Sequence, residues 1–462
     1  MLRDRYATMN LFALVPALGL ELDPVLTRLD ALLDDDHLFQ AVKADLRKRF
    51  PRTGTTGRPS TPAEVILRLL VVKHLYGWSY EETEQWVKDS LVLRQFCRIY
   101  LEAVPDDTTL IRWANVIQPA TLHQLLDHVV ALARSLKVTR GRKLRIDGTV
   151  VATNIHHPTD STLLGDGVRV LSRVLRRAKR AVPAGIALGR EAFRDRTRSA
   201  TTQVKRIMQA VRQRGEQAEV TRQGAYRQLI RITTALVAQA EQVGAALRGQ
   251  PTRAAGRLAT TLDHLLPRIR RVIGQTTRRV LHGEAVPAQD KLVSLFEPHT
   301  AIIRKDKLPG HTSFGRMVWL DEVDGGIVSR YGVLDGNPPE EEQLRPSLDH
   351  HLALFQRPPA LLAGDRGTFS AAGERYATAQ GVARVVLPKP GAKSAARVAY
   401  ERQPWFRRGR KWRAGIEGRI SVLKRRYRLA RCQYHGDAGM DRWVGWGVIA
   451  HDLWAIARAT AH

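Results

Sequence analysis

The chain has 462 residues, enough for two or three domains that each bury a core. Its formal net charge of +29 and its pI near 10.9 are typical of proteins that bind a polyanion, and nucleic acid is the expected partner. The sequence has no apolar run of membrane-spanning length, and "LFALVPALGL" at 11–20 lacks a convincing cleavage site. Two cysteines exclude a disulfide framework and a zinc cluster, which favours a cytoplasmic protein. Without an amphipathic anchor, a membrane partner is not expected.

The N-terminal third carries helix signals. "TPAEVILRLLVVKHLYG" opens with a predicted capping box of Thr61 and Glu64 around Pro62 and ends at Gly77, and "SYEE" repeats the box from Ser79. Further helices are predicted from "DDTTLIRW" and from "ATLHQLLDHVVALARSL". Two capped helices separated by one glycine are typical of a helix-turn-helix element, but a plain helical bundle has the same pattern. Both interpretations stay open.

The hydrophobic period changes after these helices. "KLRIDGTVVATNI", residues 143–155, is rich in β-branched residues and predicts a strand, after which Asp160 is expected to cap a helix. From 167 to 290 the chain is helical and poor in aromatic residues, with 25 Lys or Arg against 8 Asp or Glu. We interpret this segment as an insertion of extended helices that gain little from a core of their own and contact DNA. An insertion that organises a dimer, with its charge solvated, is the alternative.

Strands and helices alternate in the C-terminal part. "SFGRMVWLDEVDGGIVSRYGVL" predicts a β-hairpin about its DGG turn, and "PALLAGD" and "ARVVLP" predict strands. Helices are predicted for "EEEQLRPSLDHHLALF", "TFSAAGERYATAQ", the stretch around Glu417 and the Trp-rich C-terminus. This order predicts the fold class α/β, with a mixed sheet that a helical insertion interrupts and an all-α region that precedes it.

Three carboxylates stand out by their positions. Asp147 lies inside a predicted strand, where a charge is disfavoured unless it faces a site or an ion. Asp365 directly follows a predicted apolar strand, at the end where α/β sheets place ligands. Glu417 is the one acid between 402 and 435, a stretch with twelve Lys or Arg. Taken singly, an aspartate at a strand end is explained as a turn residue, and the glutamate as a member of an exposed ion pair. Taken together, the three carboxylates could bind two divalent ions about 4 Å apart, as phosphoryl transfer requires.

The helix around Glu417 has a basic face. Arg410, Arg413, Glu417, Ser421 and Lys424 share one side at helical spacing, so the acid points the same way as three cations. Such a surface can hold a divalent metal ion and a phosphate chain beside it.

Three segments resemble the signature of insertion-sequence transposases that carry a DDE triad on an RNase H-like domain. Asp147 in "RIDGT", Asp365 in "AGDRG" and Glu417 in "RAGIEGRISVLKR" take the positions of the triad. The last segment is similar to the Y-(2)-R-(3)-E-(6)-K signature at Glu417 and at the flanking Arg413 and Lys424, with Arg410 in the tyrosine position. "TPAEVILRLLVVKHLYGWSYEETEQWV" resembles the N-terminal helical domain of these enzymes. The large insertion is similar to that of transposases grouped as ISNCY.

The resemblance implies a reaction and its components. Asp147, Asp365 and Glu417 would be catalytic and bind two Mg²⁺ or Mn²⁺ ions, for cleavage of transposon ends by water and strand transfer by the freed 3′-OH. It implies double-stranded DNA, at the ends and at the target, as the partner, a homodimer in the synaptic complex, and a bacterial, nucleoid-associated location. The residues expected to contact DNA are Arg410, Arg413, Lys424, Arg419, Arg425 and Arg366.

Several alternatives remain for individual residues. Asp160 and Asp166 in "HPTDSTLLGDGVRVL" are rivals of Asp147 for the first ligand, and placement on a strand favours Asp147. His156 and His157 would point to opposite faces of a strand, so a metal ion shared by them is not expected.

Trp405 and Trp412 flank the catalytic helix and suit core packing or stacking on a flipped base. Gly415 and Gly418 each cost about 1 kcal/mol in a helix interior, which predicts a close approach of this helix to the sheet or to DNA.

The predicted domains follow from these signals. Residues 1–138 form a helical DNA-binding domain, 139–166 with 291–435 a split RNase H-like catalytic domain, 167–290 the basic insertion, and 436–462 a C-terminal helix. Two other functions fit the same residues: an RNase H-like endonuclease without end recognition, and a domesticated DNA-binding protein that no longer cuts.

Overall fold

The computed structural model describes residues 2–6, 23–48, 60–181, 190–304 and 312–461. The stretch "LFALVPALGL" lies outside the described residues. The chain divides into two compact units, Met1–Asn154 with Arg316–His462 and Ile155–Gly315. The second unit extends beyond both ends of the predicted insertion, whose limits are 167 and 290. Of the described helices, none combines the length and the apolarity needed to cross a membrane.

The first unit begins with helices and contains most of the sheet. Its described helices before the sheet are α1 (Pro24–Leu33), α2 (Asp36–Lys48), α3 (Ala63–Tyr76), α4 (Tyr80–Asp89), α5 (Leu91–Phe96), α6 (Asp107–Ala114) and α7 (Pro119–Ser135). Its later helices are α12 (Leu344–Phe355), α13 (Ala371–Ala379), α14 (Ala395–Arg402), α15 (Pro404–Arg426) and α16 (Asp437–Ala459). The second unit contains α8 (Asp160–Ala178), α9 (Thr197–Val211), α10 (Glu216–Arg248) and α11 (Arg253–Thr276).

Six strands in the described part of the chain form one mixed sheet, which confirms the α/β class. They are β1 (Lys143–Ala152), β2 (Ala301–Arg304), β3 (Thr312–Val323), β4 (Ile327–Val333), β5 (Leu361–Ala363) and β6 (Arg384–Val386). The order is β2-β3-β1-β5-β6, and β4 also pairs with β3. β5 is parallel to both β1 and β6, whereas β3 is antiparallel to β2 and to β4. The predicted hairpin is confirmed by β3 and β4, whose turn places Gly325 and Gly326 at φ values of 85° and 76°.

The N-terminal helices confirm one predicted capping box and contradict the other. Ser79 caps α4 and forms the box with Glu82, and Gly77 ends α3 in the left-handed conformation. The predicted box of Thr61 and Glu64 is wrong, because Pro62 is the N-cap of α3 and makes no side-chain cap bond. Glu64 is buried and accepts a hydrogen bond from Arg68 Nε at 3.1 Å. A buried guanidinium binds this carboxylate more strongly than a backbone amide would.

Lys73 lies in α3 without a carboxylate partner among the described residues. It is buried, and its Nζ lies 4.6 Å from the ring centroid of Tyr80, 5.2 Å from that of Tyr434 and 5.1 Å from that of Trp443. Burial lowers the pKa of Lys73 to about 7, with the charge of Arg428 as the next cause. The aromatic faces stabilise the charged form only in part.

We expect Lys73→Met to stabilise the protein, most strongly at low pH. The folded-state pKa of about 7 lies below the value of 10.5 for a free lysine, so the unfolded chain binds the proton more tightly. Wild-type stability therefore rises with pH between these values, and the substitution removes that dependence. The gain should be a few kcal/mol at pH 6 and smaller at pH 9. Thermal melts at the two pH values test this, and the exposed Lys88→Met in α4 is the control. An equal gain at both pH values would contradict the assignment.

The second unit has its own hydrophobic core, which corrects one prediction. Helices α8 to α11 bury apolar side chains such as Leu171, Leu229 and Leu262 against one another. The expectation that the insertion gains little from a private core is wrong, because Leu, Ile, Val and Ala at helical spacing fill most of this core, with Tyr226 buried among them. Whether the basic outer surface contacts DNA remains a prediction.

Candidate active site

The register of two parallel strands brings the predicted aspartates together. β1 and β5 pair with Arg145 opposite Ala363. Two residues further along both strands are Asp147 and Asp365, so the same register places them side by side on one face of the sheet. The backbone beyond β5 stays hydrogen-bonded to the neighbouring strand β6, since Gly364 N donates to Val386 O at 3.1 Å. Asp147 therefore lies in β1, as predicted, and Asp365 at the carboxyl end of β5.

Helix α15 crosses the same face and brings the third carboxylate. It packs against β1, β5 and β6. A Cβ on Gly409 would lie 2.6 Å from Val386, and one on Gly415 would collide with the guanidinium of Arg145. The predicted close approach to the sheet is thus confirmed for Gly415, whereas Gly418 has open space beside it. The tight packing fixes the helix above Asp147 and Asp365.

One guanidinium contacts all three predicted carboxylates. Arg413 Nη2 lies 2.8 Å from Asp147 Oδ2 and 3.7 Å from Asp365 Oδ2, and its Nη1 lies 3.4 Å from Glu417 Oε1. The side chains of Asp147, Asp365 and Glu417 are 13%, 29% and 61% exposed. Arg413 Nε is buried and has no hydrogen-bond partner among the described residues. Its carboxylate contacts are the polar interactions that hold this guanidinium in place.

The carboxylates also make local hydrogen bonds. Asp365 Oδ1 accepts from Thr368 N at 3.1 Å, so this aspartate closes a turn as well as facing Arg413. Asp147 Oδ1 accepts from the neighbouring Gly148 N at 2.9 Å. In each aspartate one oxygen is oriented by the backbone and the other faces the guanidinium.

A second acidic side chain lies beside Asp365. A Cβ on Gly367 would collide with the carboxylate of Glu340 and would lie 3.4 Å from Asp365 Oδ1. Glu340 was not among the site residues predicted from the sequence. In the sequence, Glu340 belongs to the acidic run "EEEQ", and this run predicts only the start of a helix.

A network of charged side chains supports the site from within the sheet. Arg145 donates to Glu322 through Nε at 2.9 Å and Nη2 at 2.6 Å, and its Nη1 donates to Trp412 O at 2.5 Å. Arg419 Nε donates to the same Glu322 at 3.2 Å. The carbonyl of Trp412 immediately precedes Arg413, so Arg145 anchors α15 at the site. This ion pair was not predicted from the sequence, because its partners lie far apart along the chain.

The residues predicted to contact DNA have different surroundings. Arg410, Arg366 and Arg425 are exposed, and Lys424 is half-buried. Arg419 donates a hydrogen bond from Nε to Glu322, and its Nη1 lies 2.7 Å from His451 Nε2.

Trp405 and Trp412, predicted to flank the catalytic helix, both lie within α15 and pack within the protein. Trp405 contacts the rings of Tyr400 and Phe406 edge-on, with centroids 5.3 and 5.6 Å away. The guanidinium of Arg145 lies 4.9 Å from the ring centroid of Trp412. These contacts favour a packing role, and base stacking by either ring remains a prediction.

Asp160 and Asp166, the alternatives to Asp147 as first metal ligand, form ion pairs within the second unit. Asp160 was expected to cap a helix, but Thr159 is the N-cap of α8. Asp160 Oδ2 accepts instead from Arg279 at 2.7 Å, because a partly buried carboxylate needs a cationic partner. Asp166 pairs with Arg169 at 2.6 Å, and His156 lies 3.4 Å from its other oxygen.

The donor set suits a hard divalent cation, although the present geometry is built around Arg413. Carboxylate oxygens from two strands and a helix are the ligands that Mg²⁺ and Mn²⁺ prefer. Among the described residues, no group of three or more His, Cys, Asp or Glu side chains is close enough to hold a metal ion. The three carboxylates face one guanidinium rather than one another.

The comparison with known families gives one match. The family model described as "Transposase domain (DUF772)" matches residues 19–115, a segment that includes the helices from α1 to α6. The match supports a transposase family, and hence a DNA-processing enzyme. It ends before β1 and does not include the carboxylates. No curated protein and no solved structure matched the chain.

Proposed function

We propose that this protein is a DDE transposase with an RNase H-like catalytic domain, which binds transposon terminal inverted repeats, cuts the DNA strand and transfers it. The observation that carries the proposal is the convergence of Asp147, Asp365 and Glu417 on a single guanidinium. The transposase-domain match at 19–115 and the mixed sheet support it independently. The assignment to the ISNCY group rests only on the presence of a large helical insertion after the first strand.

Asp147, Asp365 and Glu417 would hold two Mg²⁺ or Mn²⁺ ions. Such ions activate the attacking oxygen and stabilise the leaving one in phosphoryl transfer. The protein's part is to present the three carboxylates from rigid elements. β1 and β5 set the spacing of the aspartates, and Arg145 holds α15 against the sheet. Thr368 N–H and Gly148 N–H orient one oxygen of each aspartate.

Arg413 has two tasks in this proposal. Its single positive charge offsets part of the negative charge of the three carboxylates, whose mutual repulsion would otherwise be more costly in a partly buried site. A guanidinium and a divalent cation would compete for the same carboxylate oxygens, so the side chain would have to move aside for a metal ion to be held there. Its long stem, and an Nε without a hydrogen-bond partner among the described residues, would let it turn toward the phosphate of the strand being cut.

The basic surface would hold the DNA. The exposed Arg410 and Arg366, with Arg425 and the half-buried Lys424, would contact phosphates of the transposon end or the target. We propose a homodimer for the synaptic complex and the bacterial nucleoid as the location. The net charge of +29 supports a polyanionic partner.

Cleavage and joining of defined ends test the proposal. Duplexes that carry the inverted repeats flanking the gene should be nicked at the repeat boundary with Mg²⁺ or Mn²⁺, and the 3′-OH should join a target plasmid. Duplexes with scrambled repeats are the control. Cutting of both substrates without joining would favour an RNase H-like endonuclease, and binding without cutting would favour a domesticated DNA-binding protein. Either outcome would overturn the proposal.

A further inference from the structure

A basic groove lies where α15 and α16 end. It has a volume of about 880 Å³, and its wall includes the turn residue Gly325. We call it the basic groove and define it by Arg419, Arg425, Arg426, His451, Trp454 and Arg458. All these residues belong to the first unit.

The groove has an excess of unneutralised positive charge. Arg425, Arg426 and Arg458 are exposed and form no ion pair among the described residues, while Arg419 is paired with Glu322. None of the described residues that line the groove carries a carboxylate side chain. Cations in the last turns of α15 and α16 interact favourably with the helix dipoles, each worth about half a negative charge. Two half-charges do not balance three guanidinium groups, so the groove still favours an anion.

One of these guanidinium groups is held in position before any ligand binds. Arg426 lies over the ring of Trp454, with its Cζ 4.6 Å from the centroid. This cation–π contact reduces the rotamer freedom that a long side chain loses on binding. Arg426 lines the groove, and the planar fork of a guanidinium matches the oxygens of a phosphate.

The groove faces away from the carboxylate site. Arg426 follows Glu417 by nine residues on α15, which is two and a half helical turns. The two side chains therefore leave the helix on opposite sides, about 13 Å apart along its axis. A DNA strand at Asp147, Asp365 and Glu417 would not lie in the basic groove.

We propose that the basic groove binds the phosphate backbone of a second DNA duplex, distinct from the duplex that is cut. The inference rests on the proposed function, which requires the protein to hold end and target DNA together. The ligand chemistry is the repeating phosphodiester, because successive arginines around an open groove match a line of phosphates and offer no base-reading geometry.

The test uses the full chain with both Arg426→Gln and Arg458→Gln. Protein saturated with an unlabelled end duplex is titrated with a labelled second duplex in EDTA, at several salt concentrations. The double variant should bind the second duplex about tenfold more weakly, and the slope of log affinity against log salt should be shallower by about two. Metal-dependent cleavage of the end duplex should stay within about twofold, since the groove lies away from the carboxylates.

The matched control removes two other exposed charges from the first unit, with Arg375→Gln in α13 and Arg384→Gln in β6. An equal loss of second-duplex binding in this control would overturn the proposal, because net charge alone would then explain it. Unchanged binding in the Arg426 and Arg458 variant would overturn it too, as would equal displacement of the duplex by polyglutamate of the same charge. The titration needs no metal ion, so wild-type protein that binds two duplexes but cuts neither would count against the proposed function alone.

Discussion

Glu417→Gln is expected to abolish metal-dependent DNA cleavage while end binding stays within about twofold. The substitution keeps the shape of the side chain and removes one anionic ligand. Substitution of groups that only orient a metal ligand costs about 10–100-fold, so loss of a direct ligand should cost more than about a hundredfold. Glu417 is 61% exposed and touches Arg413 at 3.4 Å, so the fold should not depend on its charge. Single-turnover cleavage of an end duplex, with a filter-binding assay in parallel, measures both effects.

The same experiment separates Asp147 from its rivals. Asp147→Asn and Asp365→Asn should lose cleavage as Glu417→Gln does, and Asn at 365 can still accept the hydrogen bond from Thr368 N. Asp160→Asn is the control, because Asp160 pairs with Arg279 inside the second unit. Retained cleavage in Glu417→Gln would refute the site assignment. Complete loss of cleavage in Asp160→Asn, with normal melting, would promote Asp160 over Asp147.

The local part of this site could be predicted from the sequence. β1, the hairpin of β3 and β4, and α15 each have a signal within a short window: β-branched residues, a DGG turn, and helical spacing around Glu417. Leu144 and Ile146 are buried while Arg145 and Asp147 share the other face, so the alternation along β1 already indicates a polar side.

The non-local part could not be predicted in the same way. The β1–β5 register that aligns Asp147 with Asp365 depends on residues more than two hundred positions apart, which no local pattern encodes. The Arg145–Glu322 pair also joins distant segments, and an arginine in a strand gives no sign of its partner. At Glu64 a local pattern was present but misleading. The spacing fits a capping box, yet the carboxylate pairs with the buried Arg68 instead.

Arg413→Gln is expected to increase the affinity of the site for a divalent cation and to destabilise the protein when no such cation is present. In wild-type protein the guanidinium lies 2.8 Å from Asp147 Oδ2 and must leave before a metal ion can take these oxygens. Without it, the metal ion no longer competes with an internal cation, and binding should tighten by about tenfold, which corresponds to about 1.4 kcal/mol. In EDTA, three neighbouring carboxylates then lack their counter-charge, and unfolding should need about 1–3 kcal/mol less.

Calorimetric titration with Mn²⁺ and thermal melts in EDTA measure these two effects independently of cleavage. Arg410→Gln is the matched control, because Arg410 is exposed on the same helix and contacts none of the three carboxylates. Arg413→Lys should fall between wild type and Arg413→Gln, since an ammonium group keeps the charge but lacks the fork that reaches oxygens on both sides. Unchanged Mn²⁺ affinity together with an unchanged melt in EDTA would mean that Arg413 does not control access to the carboxylates. A fall in cleavage by Arg413→Gln despite tighter Mn²⁺ binding would show that this side chain also acts on the DNA strand, as the proposed movement toward the phosphate requires.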